Sequence, residues 1–121
     1  MNIAFIGGGN MARSLIGGLI ESGTPAARIV VSDPLEPTRQ QLEKVFGIAT
    51  HDDNSKATAN ADVVVFAVKP QQLHSVISGL RGQLSGKLIV SVAAGVRMQD
   101  IADWSGDSDA AVVRCLSLIH I

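Results

Sequence analysis

Cysteine is almost missing from this 121-residue chain, Cys115 being the only one, so no internal disulfide can form and a reducing compartment fits. An excess of charge of one sign is missing too. Ten Lys and Arg stand against eleven Asp and Glu, net −1, and the basic residues are scattered, which leaves no electrostatic footprint for nucleic acid or a membrane surface. No apolar run exceeds strand length, against the ~20 residues that a membrane-spanning helix needs. Asn2 stands directly before an apolar strand and leaves no room for a basic, cleavable leader. These absences predict a cytoplasmic protein with no nucleic-acid and no membrane partner, and the length predicts one domain, long enough to bury a core.

What the chain has instead is sharp punctuation at its start. The run Asn2-Ile3-Ala4-Phe5-Ile6 stops at Gly7-Gly8-Gly9-Asn10-Met11-Ala12, after which Ala12, Leu15, Ile16, Leu19 and Ile20 recur at the spacing of an amphipathic helix ending at Gly23. Strand, glycine turn, helix is the context in which Gly7-x-Gly9-x-x-Ala12 reads as a dinucleotide-binding fingerprint. Gly7 permits a turn that a Cβ would block, Gly9 lets a pyrophosphate approach the main chain, and Ala12 keeps the helix close to its strand. The free N–H groups of the first helical turn would then face the phosphates. An ordinary glycine turn without a ligand is the plain alternative. Gly17 and Gly18 inside the helix each cost about 1 kcal/mol against Ala, which points either to a face pressed on the sheet or cofactor or to mere tolerance.

Arg28 to Asp33 reads as a second strand ending in an acid, 21 positions beyond Ala12. An acid there can accept hydrogen bonds from the adenosine ribose and repel a 2′-phosphate, favouring NAD, whereas Arg39 could lean over a phosphate and Asp33 could also cap the next helix. Pro34 to Phe46 is that helix, with Leu42, Val45 and Phe46 on one face and Gly47 as its stop. Ile48-Ala49-Thr50 is a short third strand, followed by a loop from His51 to Asn54. Asn54 is either a ribose or phosphate contact or a helix N-cap, and His51 is a solvated residue without metal-ligand spacing around it.

After a short helix over 55–60, the run beginning at Asp62 and continuing Val63 to Val68 has the unbroken apolar character of a central parallel strand covered on both faces. It ends at Lys69-Pro70-Gln71, with Pro70 suited to a first helical position and Leu73, Val76, Ile77, Leu80 and Leu84 continuing at helical spacing. Lys69 could hold a phosphate or a substrate carboxylate, or snorkel at the surface; His74, with no partner visible, is structural or exposed. Lys87 to Val92 is a fifth strand ending at Ala93-Ala94-Gly95, small residues that either admit a flat ring or make a compact turn. Val96 to Trp104 is a helix with Met98, Ile101, Ala102 and Trp104 inward, and Ala111 to Cys115 is a sixth strand carrying a buried, inert thiol. The alternation predicts an α/β fold, a doubly wound parallel sheet of Rossmann type with about six strands. Gly7 to Met11, Ala67 to Pro70 and Val92 to Gly95 would then meet at its carboxyl edge.

Gly7-Gly8-Gly9-Asn10-Met11 after the first strand, Ala67-Val68-Lys69-Pro70-Gln71 after the fourth, Ser91-Val92-Ala93-Ala94-Gly95 after the fifth and Val113-Arg114-Cys115 in the sixth together resemble the pyrroline-5-carboxylate reductases, over Met1 to Cys115. The specific part is Ala-Val-Lys-Pro-Gln combined with Ser-x-Ala-Ala-Gly at this separation. The resemblance implies a cytoplasmic enzyme of proline biosynthesis, passing hydride from reduced NADP or NAD to the C=N carbon of 1-pyrroline-5-carboxylate. It matches Ile6, Gly7, Gly8, Gly9, Asn10, Met11, Asn54, Ala67, Val68, Lys69, Pro70, Val92, Ala93 and Ala94 to cofactor-contacting stretches. Asp33 stands where the family often has Ser or Asn, which counts against NADP.

The family continues with a Met-Pro-Asn-Thr-Pro run and a helical domain that forms the dimer and closes the substrate pocket, where this chain has Leu116-Ser117-Leu118-Ile119-His120-Ile121. The expectation is therefore a dinucleotide-binding domain over 1–115, an aberrant or truncated tail over 116–121 and no helical domain. Such a unit would bind cofactor without reducing the imine, with no catalytic residue and no metal ligand assigned, while its full-length relatives are homo-oligomers. Two other readings stand beside this one: a 3-hydroxyacid-dehydrogenase-like enzyme on the same scaffold, and a non-catalytic dinucleotide-binding module.

Overall fold

A computed structural model describes residues 1–92, 96–107 and 111–114. Strands and helices alternate: β1 Ile3–Ile6, α1 Asn10–Glu21, β2 Ile29–Ser32, α2 Glu36–Phe46, β3 Ala49–His51, α3 Asn54–Thr58, β4 Val63–Phe66, α4 Pro70–Gly79, β5 Leu88–Ser91, α5 Met98–Ser105 and β6 Val112–Arg114. All six strands pair in parallel, in the order β3-β2-β1-β4-β5-β6. This is the doubly wound sheet expected from the alternation, and its order is that of the Rossmann fold.

Because successive side chains of a strand point to opposite faces, the apolar runs feed two cores. Ile3 and Phe5 pack with Ala12 and Ile16 of α1 and Leu42 of α2, while Ala4 and Ile6 pack with Leu73 and Ile77 of α4 and Ile101 of α5. Burial on both faces is why β1 and β4 are apolar at every position. Helix ends follow local chemistry. Pro70 opens α4, and Gly47 and Gly106 close α2 and α5 in the left-handed region at φ +70° and +88°.

Several expectations are corrected. His51 is the last residue of β3, its Cα opposite Ser32, and not a loop residue. α4 stops at Gly79, yet Leu80 and Leu84 remain buried because the chain beyond the helix still covers β4 and β5. Val45 and Met98 face solvent, 56% and 46% exposed, since the apolar stripes of α2 and α5 are narrower than the spacing suggests. Gly17 meets only Phe46, with 3.7 Å from a would-be Cβ, and Gly18 meets nothing, so both glycines are tolerated and not demanded by close packing. Cys115, Ala93, Ala94, Gly95 and the segment 116–121 lie outside the described residues.

Candidate functional site

β1 pairs with β2 on one side and β4 on the other, so the chain leaves its carboxyl end at the point where the strand order reverses. Ligands of open α/β sheets bind in the crevice at such a point. Three consecutive glycines lie there, each under a different constraint. Gly7 has φ +100°, donates its N–H to the Ser32 carbonyl at 2.8 Å, and would place a Cβ 2.6 Å from the carbonyl oxygen of Ala67. Gly8 is buried, and a Cβ there would come within 2.8 Å of Leu42 Cδ1. Gly9 is exposed, and nothing lies within 4 Å of its would-be Cβ.

Gly9 is also the N-cap of α1, with no side chain to satisfy the helix. The first-turn N–H groups of a helix have no intrahelical partner, so those at the start of α1 open onto the space that Gly9 leaves clear. That is the geometry of an anion cradle.

Asp33 follows β2 and braces this turn. Its Oδ2 accepts the Gly8 N–H at 2.9 Å and its Oδ1 the Leu35 N–H at 2.9 Å. The N-cap of α2 is Leu35, not Asp33, so the capping expectation for the acid is replaced by a local turn joined to the glycine loop. Arg39 Nη1 donates to the Asp33 carbonyl at 2.8 Å, which holds the guanidinium beside the end of β2. Ser32, at the end of β2, donates its hydroxyl to Asn54 Oδ1 at 2.6 Å. Asn54 is not the cap of α3: Asp53 is, its Oδ1 accepting the Ser55 N–H at 2.8 Å.

A cleft of about 840 Å³ joins these pieces. Ile6, Gly7, Gly8, Gly9, Asn10, Met11, Asp33, Asn54, Ala67, Val68, Lys69, Pro70 and Val92 all line it, so every candidate within the described residues comes to one place. Its walls also include Ser32, Pro34, Leu35, Asp52, Gln72, Ser75 and Val76, which pattern reading did not single out. Leu35 carried one usable signal, a large apolar side chain just past a strand end, and it is 62% exposed. Lys69 is the exposed N-cap of α4, and its ammonium has no hydrogen-bond partner among the described residues.

Elsewhere, His74 does have a partner, since its ring stacks on Trp104 with centroids 4.5 Å apart. Arg97 donates through Nε and Nη2 to the Asp100 carboxylate, a hydrogen-bonded contact that holds the guanidinium above its ordinary value. Among the described residues no group of three or more His, Cys, Asp or Glu is placed to hold a metal, and no helix is long and apolar enough to cross a membrane.

Fold and crevice together define a Rossmann-type α/β domain with its candidate ligand site at the topological switch point. Residues 2–95 match the family described as NADP oxidoreductase coenzyme F420-dependent, and the chain belongs to that family. It is 47% identical over 115 residues to the pyrroline-5-carboxylate reductase of Pseudomonas aeruginosa, a match covering 94% of this chain and 42% of that protein. A pyrroline-5-carboxylate reductase structure from Coxiella burnetii superposes with a TM-score of 0.87 at 41% identity, over 93% of this chain and 42% of the other. The Plasmodium falciparum pyrroline carboxylate reductase with NADP bound shares the fold, with a TM-score of 0.81 at 22% identity over 94% and 41% of the two chains. The chain thus spans about two fifths of the length of these relatives.

Proposed function

We propose that the chain binds NADP or NAD in this cleft, in reduced form, and that the bound cofactor serves the conversion of 1-pyrroline-5-carboxylate to proline. One observation carries the binding: the uncapped N-terminus of α1 opens onto clear space at Gly9, with Asn54 and Lys69 on the same cleft. Around Gly9 the donor set suits a pyrophosphate, offering backbone N–H groups, an amide and an ammonium, while the carboxylate of Asp33 is taken up by the Gly8 and Leu35 N–H groups. The similarity to pyrroline-5-carboxylate reductases supports the choice of reaction.

In this reading the pyrophosphate lies against Gly9 to Met11. Adenosine extends toward Asp33, Leu35 and Arg39, and the nicotinamide toward Ala67 to Pro70 and Val92, with Ala93 and Ala94 as further candidates. A reduced nicotinamide bound here would supply hydride to the C=N carbon, which is electrophilic when the ring nitrogen is protonated and becomes the neutral amine carbon on accepting it. The work of this chain is to hold the cofactor in one orientation, because proximity and alignment lower the barrier for the transfer. Residues 1–115 are taken as the dinucleotide-binding unit, working in the cytoplasm on a small-molecule substrate. No catalytic residue is assigned within it, and contacts to the imine and assembly into oligomers are assigned to a helical domain such as the resemblance implies.

Calorimetric titration of the purified chain with NADPH and with NADH tests the binding. Saturable one-to-one binding of at least one of them is expected, abolished by Gly9→Val without loss of circular dichroism. No saturable binding of either cofactor at millimolar concentration would overturn the reading.

A further inference from the structure

We infer that Ser32 is a positioning residue that sets which way the Asn54 amide faces, so that Asn54 offers its Nδ2 hydrogens to an acceptor oxygen of a dinucleotide in the cleft. The inference rests on the dinucleotide reading above. Ser32 ends the second strand, paired with Ile6 on one side and His51 on the other, and is only 2% exposed. A buried hydroxyl must donate its proton to something. Among the described residues its one partner is Asn54 Oδ1, at 2.6 Å.

The two faces of a primary amide differ only in which end donates. With Oδ1 toward Ser32, the hydroxyl proton is satisfied and Nδ2 is left for the cleft that Asn54 lines. Turned the other way, Nδ2 would point at Ser32 Oγ, and the serine proton would lose its one acceptor among the described residues. The reversed amide would also present lone pairs to ionised phosphate oxygens, which only accept. Ser32 thereby selects the orientation that can bind.

Asn54 has little other freedom. Asp53 caps the helix that Asn54 begins, and the Asn54 carbonyl accepts the Thr58 hydroxyl at 3.0 Å, so its backbone is held independently of Ser32. Its Nδ2 has no partner among the described residues, as a donor kept for a ligand should.

A double-mutant cycle on NADPH affinity, measured by calorimetry on the purified chain, decides the matter. Ser32→Ala should weaken binding about five- to tenfold, the scale of one hydrogen bond. Asn54→Ala should weaken it at least as much, and the double variant no further than Asn54→Ala alone, because Ser32 acts only through that amide. Ser32→Thr, which keeps the hydroxyl, should restore affinity. Additive losses, or wild-type affinity in Ser32→Ala, would overturn the inference while leaving the dinucleotide reading intact; absence of NADPH binding by the wild-type chain would overturn both. Should Ser32→Ala fail to fold, Ser32→Cys decides instead: it keeps a side chain at the site but donates only weakly to the Asn54 amide. Lost affinity at an unchanged unfolding midpoint supports the inference, and retained affinity refutes it.

Discussion

Alanine at Gly7 and alanine at Gly9 should do opposite things, although the two residues are separated by one position in the same turn. At Gly7 the backbone sits at φ +100°, which L-residues rarely adopt, and the new Cβ would fall 2.6 Å from the Ala67 carbonyl oxygen and 3.0 Å from its carbon. The obstacle is main chain at the end of β4 and cannot rotate away. Backbone strain of about 1–3 kcal/mol and overpacking of about 1–3 kcal/mol together predict a loss of roughly 2–6 kcal/mol. That is a large part of the ~5–15 kcal/mol by which domains are stable. At Gly9, φ is −75°, and the Cβ would meet nothing within 4 Å. Weaker capping by alanine is offset by the smaller entropy of the unfolded chain, so stability should change by less than about 1 kcal/mol. That Cβ would instead occupy the space through which a pyrophosphate reaches α1, lowering NADPH affinity by at least about tenfold. Urea unfolding followed by circular dichroism, with calorimetric titration of the same samples, reads both effects. A Gly7→Ala variant as stable as wild type, or a Gly9→Ala variant that binds normally, would refute the division of roles.

Asp33→Ser removes the acceptor of two backbone N–H groups, so it should lower stability by about 1–2 kcal/mol and weaken NADH and NADPH alike. A clean switch to NADPH at undiminished stability would show that the carboxylate serves the ribose and not the turn. Gly8→Ala should cost less when combined with Leu42→Ala than in the wild-type background, because Leu42 Cδ1 is the atom nearest the added methyl; additive losses in urea unfolding would contradict the contact. His74→Ala should alter the emission of Trp104, the chain's single tryptophan, and cost about 0.5–1.5 kcal/mol. An unchanged spectrum would argue against the stack.

The sheet and the cleft were legible to the degree that local rules govern them. Unbroken apolar character marked β4 as central, and the glycine turn between β1 and α1 located the crevice, because turn chemistry and strand burial are written in neighbouring residues. What escaped depends on contacts across the fold. Nothing local says that Gly8 lies against Leu42, or that Asp33 reaches back to the Gly8 N–H, since both depend on how α2 crosses over the sheet. His74 lacked a visible partner because Trp104 arrives from another helix. The choice between cap and ligand contact at Asn54 stays open in the sequence, as Asp53 and Asn54 are both good capping residues and only the bond to Ser55 N–H separates them. With Asp53 as cap, Asn54 is free to join the cleft. Gln72, Ser75 and Val76 line that cleft from α4, which the spacing of its buried leucines could not reveal.

The central claim is that a dinucleotide lies across the carboxyl ends of β1, β2 and β4, and amide chemical-shift mapping during titration with NADPH tests it most directly. The account predicts that the largest perturbations fall on Gly7 to Met11, Asp33, Asn54 and Val68 to Lys69, with the buried amides of Leu73, Ile77 and Ile101 nearly unmoved. Saturable binding whose perturbations gather elsewhere, leaving Gly9, Asn10 and Met11 in place, would contradict it.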